Sequence, residues 1–274
     1  MADRQLLAAF LRARRDELTP GDVGVAAGRR RRVKGLRREE VAMLADISAD
    51  YYLRLEQGRV RQPSDQVLER LAGALQLNDD ATEYMRNLAR PGLRRRRRVA
   101  ASAEKVDPGL QTLIDNWNLI PAYVQDQQMN ILAANPMAHA LLPYFAPGFN
   151  QLRTAFLEPK FPAWVRNWDD VTVTAMLVSW LRFNIAEDSP ADPDLQSLVD
   201  ELSDASQRFR TLWARQGVEQ KTSGPAPFHH PRVGPLELHY RVFMLPDMRQ
   251  AIIAYYAEPG TPSEEGLRLL SELR

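Results

Sequence analysis

The chain has 274 residues, of which 45% are hydrophobic and 26% charged, the profile of a folded protein long enough for two domains. It has no cysteine, which excludes disulfides, thiolate metal sites and cysteine nucleophiles; with no apolar run long enough for a membrane helix and no signal-peptide pattern in its charged N-terminus, a cytoplasmic protein without membrane insertion is expected. The net charge of +1 hides a division: residues 1–100 hold 22 Lys+Arg against 14 Asp+Glu (+8), and residues 101–274 hold 14 against 21 (−7).

The basic half is almost wholly arginine, whose guanidinium forks onto phosphate oxygens and base edges. A polyanion partner is therefore expected for that half alone, double-stranded DNA first.

In chain order, apolar residues Leu6, Leu7, Phe10 and Leu11 predict a helix over residues 3–18, ended by Thr19-Pro20-Gly21. A loop over 20–35 holds Arg29–Arg32, a candidate phosphate or minor-groove arm with a solvated loop as the alternative. Short helices follow at Arg37–Ala45, Ser48–Gln57, Ser64–Leu75 and Asn78–Ala89, with Ser48, Ser64 and Asn78 as N-caps. Residues 91–105, with arginines at 94–98, read as a solvated linker. Strands are then predicted at Tyr123–Gln127 and Asn130–Ala134, a short helix at Pro136–Leu142 and helices over Phe161–Ala186 and Asp194–Gln216. Strands Val218–Thr222, Leu236–Leu245 and Gln250–Ala257 complete the chain, with His229-His230 in a loop between the first two.

The domain boundaries expected are 1–92 for a five-helix bundle, 93–105 for the Arg-rich linker and 106–274 for an α+β domain.

The segment LRREEVAMLADISADYYLRLEQGR has the pattern of a helix-turn-helix. Val41-Ala42 faces inward, Ala45-Asp46-Ile47-Ser48 turns, and Ser48 caps a second helix suited to the major groove. Tyr52 and Leu55 read as core, and Glu56 as a structural hydrogen bond or ion pair, since a carboxylate beside phosphate is repelled. Ser48, Ala49, Asp50, Tyr51 and Arg54 are the candidate reading residues, with Arg54 suited to guanine and Asp50 to cytosine. Arg37, Arg59 and Arg61 suit phosphate oxygens. The segment resembles the XRE (phage-repressor-like) regulators over residues 3–89. By that resemblance Arg38 replaces a glutamine near phosphate or base, and Asp46 replaces a glycine in the turn.

No catalytic motif is found in the second half. His139, His229, His230 and His239 have no metal-ligand spacing, and no cofactor or metal is expected; the reading is not an enzyme. Trp117, Trp164, Trp168, Trp180 and Trp213, with Phe156, Phe161, Phe183 and Phe209, supply a core and the wall of an apolar cavity. Arg153 is the candidate cation at its mouth. The alternative is a domain that only dimerises or recruits a partner protein, with these residues filling a solid core.

The whole chain resembles the MmyB-like transcription regulators. The resemblance rests on Asp22-Val-Gly24, Arg29–Arg32, Gly35-Leu-Arg-Arg-Glu-Glu-Val-Ala42 and Tyr51-Tyr-Leu-Arg-Leu-Glu-Gln-Gly-Arg59 in the first half. In the second it rests on Pro121-Ala122, Asn135, Asn150 with Arg153 and Phe156, Trp168, Ser206 with Phe209 and Trp213, and His230-Pro231 with Gly234. It implies a PAS-like sensor domain and a bound long-chain fatty acid such as myristate. Arg153 and Asn150 would hold the carboxylate, and Phe156, Trp180, Phe209 and Trp213 would line the chain. A homodimer on a two-half-site operator is expected.

Overall fold

A computed structural model describes residues 2–25, 33–90, 106–165, 171–188, 193–218, 222–245 and 249–273. Arg29–Arg32, the Arg-rich linker with its arginines at 94–98, and Trp168 lie outside the described residues. Among the described residues no helix is long and apolar enough to cross a membrane.

The residues form two compact units. The first holds five N-terminal helices: α1 (Ala2–Glu17), α2 (Arg38–Leu44), α3 (Ala49–Glu56), α4 (Asp65–Ala74) and α5 (Asp79–Ala89). Local chemistry sets their starts. The side chains of Ser48, Ser64 and Asn78 accept from the backbone N–H of Tyr51, Val67 and Ala81, as the sequence predicts. Phe10, Leu11, Leu36, Val41, Tyr52 and Leu71 are fully buried at the centre, and Phe10 meets Tyr84 edge to face at 5.1 Å. Gly35 is required by close approach, because a Cβ there would lie 2.5 Å from the Asp16 Cα. This first unit also includes Arg182–Val199 and Thr211–Gln220, and Phe183 and Val218 belong to its core. The boundaries expected from sequence assign both segments to the second domain; three-dimensional packing groups them with the first.

The second unit is built on a five-stranded antiparallel sheet in the order β2-β1-β5-β4-β3. Its strands are β1 (Ala122–Asp126), β2 (Ile131–Ala134), β3 (Ser223–His230), β4 (Gly234–Leu245) and β5 (Gln250–Tyr256). One face, with Ala122, Val124, Ala133, Ile252 and Ala254, packs on Leu110 and Ile114 of α6 (Pro108–Asp115). This unit also holds α7 (Pro136–Leu141), α8 (Gln151–Leu157) and α12 (Pro262–Glu272), while α9 (Val171–Asp188), α10 (Pro193–Ala205) and α11 (Gln207–Ala214) are each divided between the two units.

Three sequence expectations change. His229 and His230 end strand β3 rather than sitting in a loop, and the strand begins at Ser223, beyond the expected Val218–Thr222. Pro225 and Pro227 disguise it, since proline donates no ladder hydrogen bond, and β3 tolerates them as the sheet's edge. The helix expected over Asp194–Gln216 breaks at Ser206, whose hydroxyl accepts from Phe209 N and caps α11. The helix expected over Phe161–Ala186 begins instead with a 3-10 turn at Phe161–Ala163. There Trp164 O accepts from His229 N at 2.9 Å, which draws the backbone into pairing with β3.

Candidate functional site

Two sites follow from this fold. The first is the exposed face of α3. The turn before it closes through Ile47 N donating to Ala42 O at 3.0 Å, and Asp46 takes φ +51°, a conformation aspartate tolerates better than most residues. Ser48, Ala49, Asp50 and Arg54 are exposed, Tyr51 is half-buried, and Tyr52 and Leu55 point into the core. Arg37, Arg59 and Arg61 are exposed beside this helix. Arg54 pairs with Asp50 at 3.2 Å across one turn and lies over the Tyr51 ring at 5.8 Å. Such an exposed pair is worth little, so Arg54 can exchange it for a base edge.

Glu56, at the end of α3, is 1% exposed. Its Oε1 accepts from Arg15 Nε at 2.6 Å and its Oε2 from Arg38 Nε at 2.7 Å. Burial pushes the carboxyl up, but the bonds and charges of Arg15 and Arg38 outweigh burial and hold it below its ordinary value. One carboxylate thus ties α1, α2 and α3 together and fixes the placement of α3. The ion pair expected of Glu56 is present. Arg38, expected beside DNA, spends its Nε on that pair while remaining half exposed.

The second site is a cavity of about 290 Å³ on the sheet face opposite α6. Its floor alternates along the strands: Tyr123 and Gln125 on β1, Tyr240 and Val242 on β4, and Ile253 and Tyr255 on β5. Residues 223–228 of β3 form one wall. Phe145, Gln151, Phe161 and Val165, with Met176, Leu177 and Trp180 of α9, close the other side. No described lining residue is charged. Burial pushes the Tyr123 and Tyr255 hydroxyls well above their ordinary values, so they stay neutral. The walls are rigid aromatic contacts: Phe145 stacks on Tyr255 at 5.3 Å, and Phe228 meets Tyr255 edge to face at 5.4 Å.

Of the six residues expected at a ligand, the structure places Trp180 in this lining and the other five elsewhere. Asn150 caps α8, accepting from Leu152 N and Arg153 N and donating to Gln128 O and to Asn130 Oδ1. Arg153 forks onto the Glu201 carboxylate at 2.7–3.0 Å, at the surface. Phe156 packs edge to face on buried Phe209 at 5.3 Å. Trp213 lies under the Arg182 guanidinium in the first unit.

Sequence reasoning missed Gln125, Gln151 and the three tyrosines. Tyr123 and Gln125 are two apart on a predicted strand, so a polar residue on its inward row was a readable signal.

His230 is held as a structural residue: its Nδ1 accepts from Arg232 N and its Nε2 donates to Ala140 O. Among the described residues, no group of three or more acidic or imidazole side chains is placed to hold a metal.

Comparison with known families identifies both regions of the chain. The model of a helix-turn-helix domain matches residues 6–85. The model of the MmyB-like transcription regulator ligand binding domain matches residues 106–270. A search of curated proteins gave no match.

Proposed function

The chain belongs to the MmyB-like transcription regulators, DNA-binding regulators with a ligand-binding domain, and from that premise we propose that it senses a small amphipathic ligand of the long-chain fatty acid class, with myristate as the reference compound. The observation that carries this reading is the apolar cavity between the sheet and α9. At about 290 Å³ it falls just below the lower bound for ligand pockets, roughly 300–1,000 Å³. Each buried CH2 of an alkyl chain adds about 0.8 kcal/mol, so even a partly enclosed chain binds well. The five-stranded antiparallel sheet, with α6 on one face and α9 across the cavity on the other, supports a PAS-like sensor.

In this reading α3 enters the major groove with Ala49, Asp50, Tyr51 and Arg54 at the bases. Ser48 fixes the helix start, and Arg37, Arg38, Arg59 and Arg61 neutralise phosphates. The protein works in the cytoplasm as a homodimer, one helix-turn-helix per half-site. Ligand changes operator affinity to the extent that it binds two conformations unequally.

The test is mass spectrometry of the purified chain, first native and then denatured with solvent extraction, followed by operator binding with and without the extracted molecule. A stoichiometric alkyl-chain acid that changes DNA affinity supports the reading. A dimeric mass with no bound or bindable small molecule overturns it in favour of an association module.

A further inference from the structure

Three residues that line the cavity each carry a buried N–H donor without an acceptor among the described residues: Gln125 Nε2, Gln151 Nε2 and Trp180 Nε1. They come from three elements, β1, α8 and α9, and are 2%, 5% and 7% exposed. A buried polar group without a partner costs free energy, and three of them fall on residues around one cavity.

Trp180 sets the polarity. A glutamine presents either end of its amide, whereas an indole N–H only donates. A molecule that satisfies Trp180 must bring a hydrogen-bond acceptor. The described lining offers it no Lys, Arg or His, and Arg153, two residues from Gln151, is occupied by Glu201. An ionised carboxylate would lose its water and gain no counter-charge here, which drives it towards its neutral form.

We propose that these three donors form the head-group site of the cavity, and that it takes an uncharged carbonyl: an ester, a primary amide or an un-ionised acid. The alkyl body lies against Phe145, Phe161, Met176 and Leu177. This rests on reading the cavity as a ligand site, and it narrows the ligand from a fatty acid anion to a neutral acyl compound.

The experiment titrates the full-length chain with four probes of one chain length: methyl decanoate, decanamide, decanoic acid and decane. Binding is read by tryptophan fluorescence and confirmed by native mass spectrometry. The expected result is that the ester and amide bind at least tenfold tighter than decane, equally at pH 6 and pH 8. Decanoic acid weakens about tenfold per pH unit over that range, following its neutral fraction. Gln125→Leu and Trp180→Phe each reduce the ester-to-decane ratio towards one; because both probes are measured on the same variant, a general loss of folding lowers both and leaves the ratio readable. For Trp180→Phe the native mass spectrum supplies that ratio. Decane matching the ester in the parent chain overturns the head-group site alone, as does an unchanged ratio in both variants. Tightest binding by ionised decanoate at pH 8 overturns the neutral head group. Failure of every probe, decane included, overturns the cavity reading itself and this inference with it.

Discussion

The guanidinium carbon of Arg182 sits 3.8 Å from the centre of the Trp213 ring. Arg182 is 1% exposed, and it donates to Gln216 Oε1 and to the Trp213 carbonyl. It also reaches the buried Tyr84 hydroxyl of α5. Burial pushes its pKa below the ordinary value, against the pull of Tyr84. All four residues belong to the unit that carries the helix-turn-helix, so Arg182, Trp213 and Gln216, though outside residues 1–92, help to hold that unit together.

Arg182→Ala removes the stack, leaves buried acceptors unpaired and opens a void. It is expected to cost about 3 kcal/mol. Arg182→Met, which keeps most of the volume, should cost less than half of that. Denaturant unfolding measures both. Arg182→Ala should also lower operator affinity although it lies far outside residues 1–92; unchanged stability in both variants would contradict the clamp.

Much of the first unit was readable because its signals are local. Ser48, Ser64 and Asn78 sit one residue before the helices they cap, and Tyr52 and Leu55 follow from helical spacing. The second unit was readable in outline only. Pro225 and Pro227 deny β3 its strand signal, and nothing near Ser206 announces that its hydroxyl will start a new helix. Arg153 stood out by the scarcity of cations around it, but its partner Glu201 is 48 residues away. Charge scarcity does not reveal a long-range neighbour. The cavity is assembled from β1, β3, β4, β5, α8 and α9 together, and no single segment encodes it.

Glu56 makes the first unit acid-sensitive. Its ordinary value is 4.5 and its folded value lies lower. The stabilisation is therefore present in full above about pH 4.5 and is lost as pH falls through the folded value. Glu56→Gln should cost about 3 kcal/mol at pH 7, and the difference from the parent chain should shrink as pH falls below about 4.5 and through the folded value. Thermal or urea unfolding across that range decides it. A constant difference at all pH values would mean that Glu56 acts by packing rather than by charge.

Arg54→Ala should weaken operator binding by about 1–3 kcal/mol if Arg54 leaves Asp50 and forks onto guanine. Binding to random DNA should change far less. Equal losses on both would make it a phosphate contact, visible also as a shallower salt dependence. Asp50→Ala separates the two roles: it frees Arg54 from its partner and should strengthen non-specific binding slightly.

Arg153→Ala tests whether the surface arginine or the cavity wall governs ligand affinity. The Arg153–Glu201 pair is 47% and 41% exposed, and pairs of this kind contribute about 0–1 kcal/mol. The Glu201 carboxylate is held below its ordinary value chiefly by the Arg153 hydrogen bonds, so the guanidinium is already engaged. Replacing Arg153 should leave alkyl-ligand affinity within about twofold and lower stability by less than about 1 kcal/mol. Val242→Trp, which places a large ring on the cavity floor, should abolish ligand binding while the sheet partners Val242 and Ile253 keep their backbone register. Isothermal titration on both variants gives the comparison. A large loss in Arg153→Ala with binding retained in Val242→Trp would move the ligand out of the cavity and onto the surface beside α8 and α10.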